Sequence, residues 1–389
     1  MNKIIGWIVV ILVVIGLGVW VSKSGKTEPA PAPAISAEPI KIGVIAPLSG
    51  TAAIYGEDAR NAILLAVEEI NSSGGVLGRS FEMIVEDGKC DGKSAINAWQ
   101  KLVNSDKVSV ILGGHCSTET MTIAPQSSVD KVLVLANLTS VSNIPNEGEW
   151  VFRNSVPSSY YAQEGAKYVF GQDIKSIAVI TEKKEFAVDF SENFKTAFQA
   201  AGGVVVFDES FSPGVNDFRT IVQKLKTHTF DGILIGTQGP ETMGLIVKQL
   251  KELGVERPTA FNAAFSAKKI MEVTGGYLPP KHFAFGGLFD REKSVAINFL
   301  ANYEAKYGRP IAFNNHLIAL VYDMPFRLKA AIESCGNQEV ECLRDYFKRA
   351  TTWDGVAGRI IFGSDHKPTY ALALTQVIDG KETFLPMNN

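Results

Sequence analysis

Short apolar runs rich in β-branched residues alternate with amphipathic helical stretches from residue 40 to beyond residue 250, and this alternation most constrains the fold. Ile40–Ala46 reads as a strand, and residues 57–71 read as a helix in which Ala59, Ala62, Ile63, Ala66, Val67 and Ile70 form one apolar stripe. The run Asn71-Ser72-Ser73-Gly74-Gly75 ends it. Further strand-like runs lie at 81–85, 108–112, 132–136, 176–181, 204–207 and 232–235, with helical segments near 93–104, 159–170, 187–200, 216–226 and 241–253. Strands alternating with helices imply parallel sheets covered on both faces. The strands are too many for one compact sheet. A division near residues 154–158, with a second series starting at Ser176, predicts an α/β chain of two Rossmann-like lobes. The tail is less regular, with a strand at 282–286, helices at 293–307 and 314–333, and late strands at 360–362 and 372–378 that fit either lobe.

The 389 residues, 46% hydrophobic and 20% charged, suffice for two domains with full cores. A formal net charge of -3 gives no large basic field, which argues against nucleic acid as a partner. Residues 4–21 carry no charge and would make about 27 Å of helix, nearly a bilayer span. The polar stretch Ser22-Lys23-Ser24-Gly25-Lys26 follows directly, so an uncleaved membrane anchor is favoured over a signal segment cut near Ala34 or Ala37. No cysteine precedes Cys90, so a lipid anchor is not expected. Lys23 and Lys26 weigh against an outside C-terminus, and the cysteines weigh for it. Residues 22–39 form a Pro/Ala-rich spacer with no means of building a core.

Four cysteines allow three pairings. Cys335 and Cys342 are seven apart, and Cys90 with Cys116 is the complementary choice; two such bridges suit an oxidising, extracytoplasmic compartment. Four free buried thiols remain the alternative. The strand at 108–112 runs into Gly113-Gly114-His115-Cys116-Ser117-Thr118, a small-residue turn whose hydroxyls suit a helix cap. A helix N-terminus there presents unpaired N–H groups and the positive end of the macrodipole, so Ser117 can help hold a carboxylate without a basic side chain. Open α/β sheets bind ligands at that edge.

Five segments then occur in order: Ile40-Lys41-Ile42-Gly43-Val44-Ile45-Ala46-Pro47-Leu48-Ser49-Gly50, Ile54-Tyr55-Gly56, Asn71-Ser72-Ser73-Gly74-Gly75-Val76-Leu77-Gly78, Cys90-Asp91 and His115-Cys116-Ser117. Together they resemble the leucine/isoleucine/valine-binding protein family of extracytoplasmic solute-binding proteins serving ABC transporters, over about residues 40–380. The resemblance implies two Rossmann-like lobes joined by three crossover strands, with ligand trapped between them. It assigns 40–156 plus 287–360 to lobe 1 and 157–286 plus 361–389 to lobe 2. It also implies that Ser117 holds a ligand carboxylate with help from Thr139 or Ser140. Tyr55 and Phe186 would supply aromatic walls, Leu138 a backbone carbonyl, and Cys116 would bond Cys90. Two positions depart from the family. Ala263 stands where amino-acid binders place a carboxylate against the ligand ammonium, and Gln238 is the expected ligand contact in place of an aromatic after Gly236. The lost charge-assisted hydrogen bond, worth about 1.5–3 kcal/mol, leaves an amino acid, an amide, a keto acid or another small carboxylate as ligand.

The expected role is therefore a receptor, not an enzyme, with a small-molecule ligand, an ABC transporter permease as partner and no cofactor. A tethered sensory receptor on the same fold is the first alternative. An extracytoplasmic hydrolase using Cys116 is the second, weakened because adjacent His115 and Cys116 side chains usually point apart. His228, His282, His316 and His366 show no ligand spacing, so no metal site is expected. Gly74-Gly75-Val76-Leu77-Gly78 follows a helix instead of a strand and so lacks the dinucleotide-binding context.

Overall fold

The computed structural model describes residues 38–50, 52–378 and 381–387. The apolar segment 4–21 and most of the spacer lie outside these residues. Among the described residues no helix is long and apolar enough to cross a membrane.

Two main sheets organise the chain. The first joins β1 (Ile40–Ala46), β2 (Phe81–Asp87), β3 (Val110–Gly113), β4 (Leu133–Ala136) and β5 (Val151–Arg153) in the order β2-β1-β3-β4-β5. Every pair in it is parallel. Its helices are α1 (Ala53–Ser72), α2 (Gly92–Gln100), which runs on through a π-helical turn at Lys101–Ser105, and α3 (Ser117–Asp130). The second sheet is built from β6 (Ser176–Glu182), β7 (Val204–Phe211), β8 (Gly232–Gly236), β9 (Thr259–Phe261) and β10 (His282–Gly287), again parallel. Its helices are α4 (Ser158–Gly171), α5 (Glu185–Ala200), α6 (Arg219–Leu225), α7 (Pro240–Glu252) and α8 (Ala267–Thr274).

The chain then returns to the first lobe with α9 (Ser294–Tyr307), α10 (Asn315–Cys335) and α11 (Val340–Arg349), where α9 and α10 pack on α1. A small antiparallel sheet of β11 (Thr352–Gly355), β12 (Gly358–Phe362) and β13 (Pro368–Thr369) follows. Finally β14 (Leu372–Ile378) and β15 (Lys381–Pro386) extend the second sheet, antiparallel to β10. The backbone thus passes between the lobes three times, after β5, β10 and β13. Late strands at 360–362 and 372–378 divide accordingly between the small sheet and the second lobe.

The predicted stripe of α1 is buried throughout, from Ala59 to Ile70. The helix begins four residues before the predicted Glu57, because Gly56 is a weak helix former whose place in the first turn is set by packing. A Cβ there would lie 1.9 Å from the Pro47 carbonyl oxygen. Tyr55 therefore projects from the helix and not from a loop. Strand β7 runs four residues past the predicted end, since this edge strand tolerates the polar run Asp208-Glu209-Ser210 before Phe211 is buried again.

Candidate functional site

The turn after β3 depends on two glycines. A Cβ on Gly113 (φ 136°) would lie 2.2 Å from the Ile45 carbonyl oxygen, and Gly114 adopts φ 58° against Thr120. This close approach lets His115 Nδ1 reach the same Ile45 carbonyl at 2.6 Å. A carbonyl only accepts, so Nδ1 carries the proton and Nε2 holds a lone pair. Burial lowers the His115 pKa to about 4, opposed by the hydrogen bond to Ile45, and keeps the ring neutral.

Cys116, not Ser117, is the N-cap of α3, and Glu119 closes the cap by accepting from the Cys116 N–H at 3.0 Å. Its other oxygen accepts from the Cys90 N–H at 3.0 Å. One buried carboxylate thus ties together the two loops that the Cys90–Cys116 disulfide joins covalently. Burial pushes the Glu119 pKa up to about 7 against the pull of these N–H donors. Cys335 bonds Cys342, so among the described residues no free thiol remains. With Cys116 oxidised, the hydrolase reading loses its nucleophile.

Tyr55, His115, Ser117, Leu138 and Ser140 line one side of a cavity between the lobes, with Phe313 just before α10 and Leu317 in its first turn. Tyr161, Phe186, Gln238, Ala263 and Ala264 face them from the second lobe. The cavity volume is ≈ 40 Å³, on a scale where one water needs about 10–15 Å³. The lobes must part for a ligand to enter. Cross-lobe contacts hold them together, among them Gln238 Nε2 donating to the Tyr55 hydroxyl (3.2 Å), Lys184 Nζ to the Cys90 carbonyl (3.0 Å), Ser142 Oγ to Asp189 (2.7 Å), and Thr118 to Glu185.

Ser117 is 2% exposed at the first position of α3, and its Oγ accepts from the Val141 N–H at 3.3 Å. Its own proton is left to donate, beside the free N–H groups of the helix start. The Tyr55 ring packs at 5.3 Å against Phe313, tilted by 38°, and its hydroxyl lies 2.8 Å from Cys116 Sγ. Burial raises the pKa of that hydroxyl, so it stays protonated. The Tyr161 hydroxyl donates to the Val156 carbonyl at 3.3 Å and meets the Ser140 side chain.

Of the seven expected ligand contacts, the structure brings Tyr55, Ser117, Leu138, Ser140, Phe186 and Gln238 to this cavity. Thr139 points away from it: its hydroxyl donates to the Gly114 carbonyl at 2.5 Å and meets Thr120. Adjacent extended residues face opposite sides, so Ser140 turns inward and Thr139 braces the turn from behind. His115, Tyr161, Ala264, Phe313 and Leu317 were not among the expected contacts. His115 lies within the small-residue turn after β3 and carried a signal; the others arrive through tertiary packing.

A larger groove of ≈ 370 Å³ lies on the other side of Phe313, near Lys268, Arg291 and Glu304. It lacks the convergent buried polar groups at the strand ends that mark the interlobe cavity. Among the described residues no cluster of three or more His, Cys, Asp or Glu is placed to hold a metal.

The chain is similar to the Leu/Ile/Val-binding protein BraC3 of Rhizobium johnstonii, 29% identical over 83% of this chain and 87% of the relative. It is also similar to the leucine-, isoleucine-, valine-, threonine- and alanine-binding protein of Pseudomonas aeruginosa, 29% identical over 57% of this chain; that match spans 60% of the relative's length. In three dimensions it resembles the branched-chain amino acid transporter substrate-binding protein LivJ of Streptococcus pneumoniae, solved with isoleucine. The TM-score is 0.81 at 23% identity, over 90% of this chain and 99% of the other. A solute-binding protein of an ABC transporter from R. palustris, solved with benzoate, gives 0.79 at 19% identity, over 90% and 96%. The sequence profile of the periplasmic binding protein family matches residues 39–382. With two parallel α/β lobes, three crossings and a cavity at the strand ends between them, this chain belongs to the periplasmic binding protein family, which places it outside the cytoplasm.

Proposed function

We propose that the protein is the solute receptor of an ABC transporter, closing on an amino acid or related small carboxylate in the interlobe cavity and presenting the closed form to a permease. The reading rests above all on Ser117, whose hydroxyl proton and helix N-terminus meet at the cavity wall. Residues from both lobes line the same small space, so a ligand there binds the closed form better than the open one. Relatives named for branched-chain amino acids and a neighbour solved with benzoate are compatible with this carboxylate half-site. No proton transfer or nucleophile is invoked; binding energy drives the conformational change. The segment 4–21 and its spacer would hold the receptor at the outer membrane face, or be removed if that segment is cleaved.

A thermal-shift screen against amino acids, their amides, keto acids and aromatic carboxylates tests the proposal. Ligand at about 100 times its Kd adds about 2.7 kcal/mol to stability. Stabilisation by one carboxylate class supports it, and stabilisation only by uncharged solutes such as sugars contradicts it.

A further inference from the structure

We infer that His115 Nε2 and Gln238 Oε1 together accept the N–H groups of an amine-bearing ligand, taking over the task of the carboxylate that Ala263 cannot supply. This rests on the carboxylate-receptor reading above and specifies the other end of the same ligand. Two observations carry it. Both residues line the interlobe cavity, and both named atoms are buried with no hydrogen-bond partner in the protein. A buried acceptor left unpaired is costly, which makes two of them in one small cavity a specificity device.

The chemistry of each atom is fixed by its neighbour. His115 Nδ1 is committed to the Ile45 carbonyl, so Nε2 is purely an acceptor. The Gln238 amide nitrogen is committed to the Tyr55 hydroxyl, so Oε1 is the free end. The Gln238 backbone N–H is in turn fixed at 2.8 Å by the buried Glu182 carboxylate. Neither acceptor can donate to a second carboxylate or to a ring ether, and a purely apolar ligand would leave both unpaired.

A primary ammonium supplies the donors that two acceptors require, and carboxylates of Glu119 and Glu182 near Tyr55 favour positive charge in this wall. His115 belongs to the first lobe and Gln238 to the second. An ammonium bonded to both therefore bridges the cleft, which couples recognition of the amine directly to closure. The ligand class is an α-amino acid with an apolar side chain, its carboxylate at Ser117 and its side chain among Phe186, Leu138 and Phe313.

Titration calorimetry on the full chain with L-leucine, its des-amino analogue 4-methylpentanoate and benzoate tests this. Leucine is expected to bind at least about tenfold more tightly than 4-methylpentanoate. Gln238→Met and His115→Phe are each expected to erase most of that ratio; Gln238→Met also loses the bond to Tyr55 and is expected to weaken both probes by a further factor of about two to ten. The wild-type ratio stands without any variant, and half-buried Gln238 tolerates replacement if buried His115 does not. Equal or tighter binding of 4-methylpentanoate or benzoate than of leucine overturns the amine assignment but leaves the carboxylate receptor intact. Variants that weaken leucine and 4-methylpentanoate equally also overturn it. Failure of all three probes overturns both readings.

Discussion

Gln238 and Tyr55 meet across the interlobe cleft, the amide nitrogen of one donating to the hydroxyl of the other at 3.2 Å. Tyr55 stands on the first helix of the first lobe and Gln238 follows a central strand of the second, so this bond exists only when the lobes are together. The same tyrosine hydroxyl touches the Cys90–Cys116 disulfide. Closure, the disulfide and the ligand cavity thus share one atom.

Removing that atom separates closure from wall packing. Tyr55→Phe keeps the ring against Phe313 and loses the hydroxyl's contact with the disulfide together with the cross-lobe bond, the latter worth about 0.5–1.5 kcal/mol. Ligand affinity should fall about two- to tenfold by calorimetry. Tyr55→Ala also strips the aromatic wall and should cost more.

Ser117→Ala removes the hydroxyl proton that the start of α3 presents to the cavity. Affinity for the preferred carboxylate should weaken by about 1–3 kcal/mol, and the melting temperature should also fall, because the buried Val141 N–H loses its acceptor. Unchanged affinity would remove Ser117 from the site.

The disulfide at Cys90–Cys116 closes a loop spanning a separation of 26 residues, and chain entropy assigns it about 3.5 kcal/mol. The double variant Cys90→Ser, Cys116→Ser should lose about 2–4 kcal/mol in denaturant unfolding. Iodoacetamide should add no mass to the native protein before reduction. An alkylated Cys116 in the unreduced protein would revive the nucleophile reading.

Stability should depend on pH through groups buried near the cleft. Burial lowers His316 to about 3 and His115 to about 4, so the unfolded chain binds their protons first. Their contribution is complete above the unfolded value of 6.5 and is lost as pH falls toward 4. Glu119 runs the other way: raised to about 7, it favours the folded state below its unfolded value of 4.5 and loses that advantage as pH rises to 7. Burial likewise pushes Asp323 up to about 7, so two carboxyls oppose two histidines and stability should stay nearly level between these limits. His316→Phe removes one of the histidines, so the variant should lose stability from pH 4.5 to 6.5 by up to about 1.4 kcal/mol per unit relative to wild type. Denaturant midpoints across that range check the sign.

The lobes were legible because their strands alternate with long, strongly periodic helices, as in β1 and α1. The first-lobe half of the cavity was legible because Tyr55, Ser117 and Ser140 come soon after strands β1, β3 and β4, Tyr55 and Ser117 in the first turns of the helices that follow. Phe313 and Leu317 were not, since they reach the cavity only after the second crossing brings α10 back against α1. Thr139 and Ser140 carry the same chemistry in sequence, and only the direction of the backbone tells them apart. Helix α8 buries just Ala267 and Ile270, too few positions to set a period. Strand β5, three residues long, is likewise too short for alternation to show.

A crystal structure of the protein grown with whichever carboxylate stabilises it most tests the central claim directly. The account predicts the ligand between the lobes, its carboxylate within hydrogen-bond distance of Ser117 Oγ and other atoms touching Phe186 or Gln238. A ligand found instead in the groove beside Lys268 and Arg291, with the cleft unchanged, would contradict it.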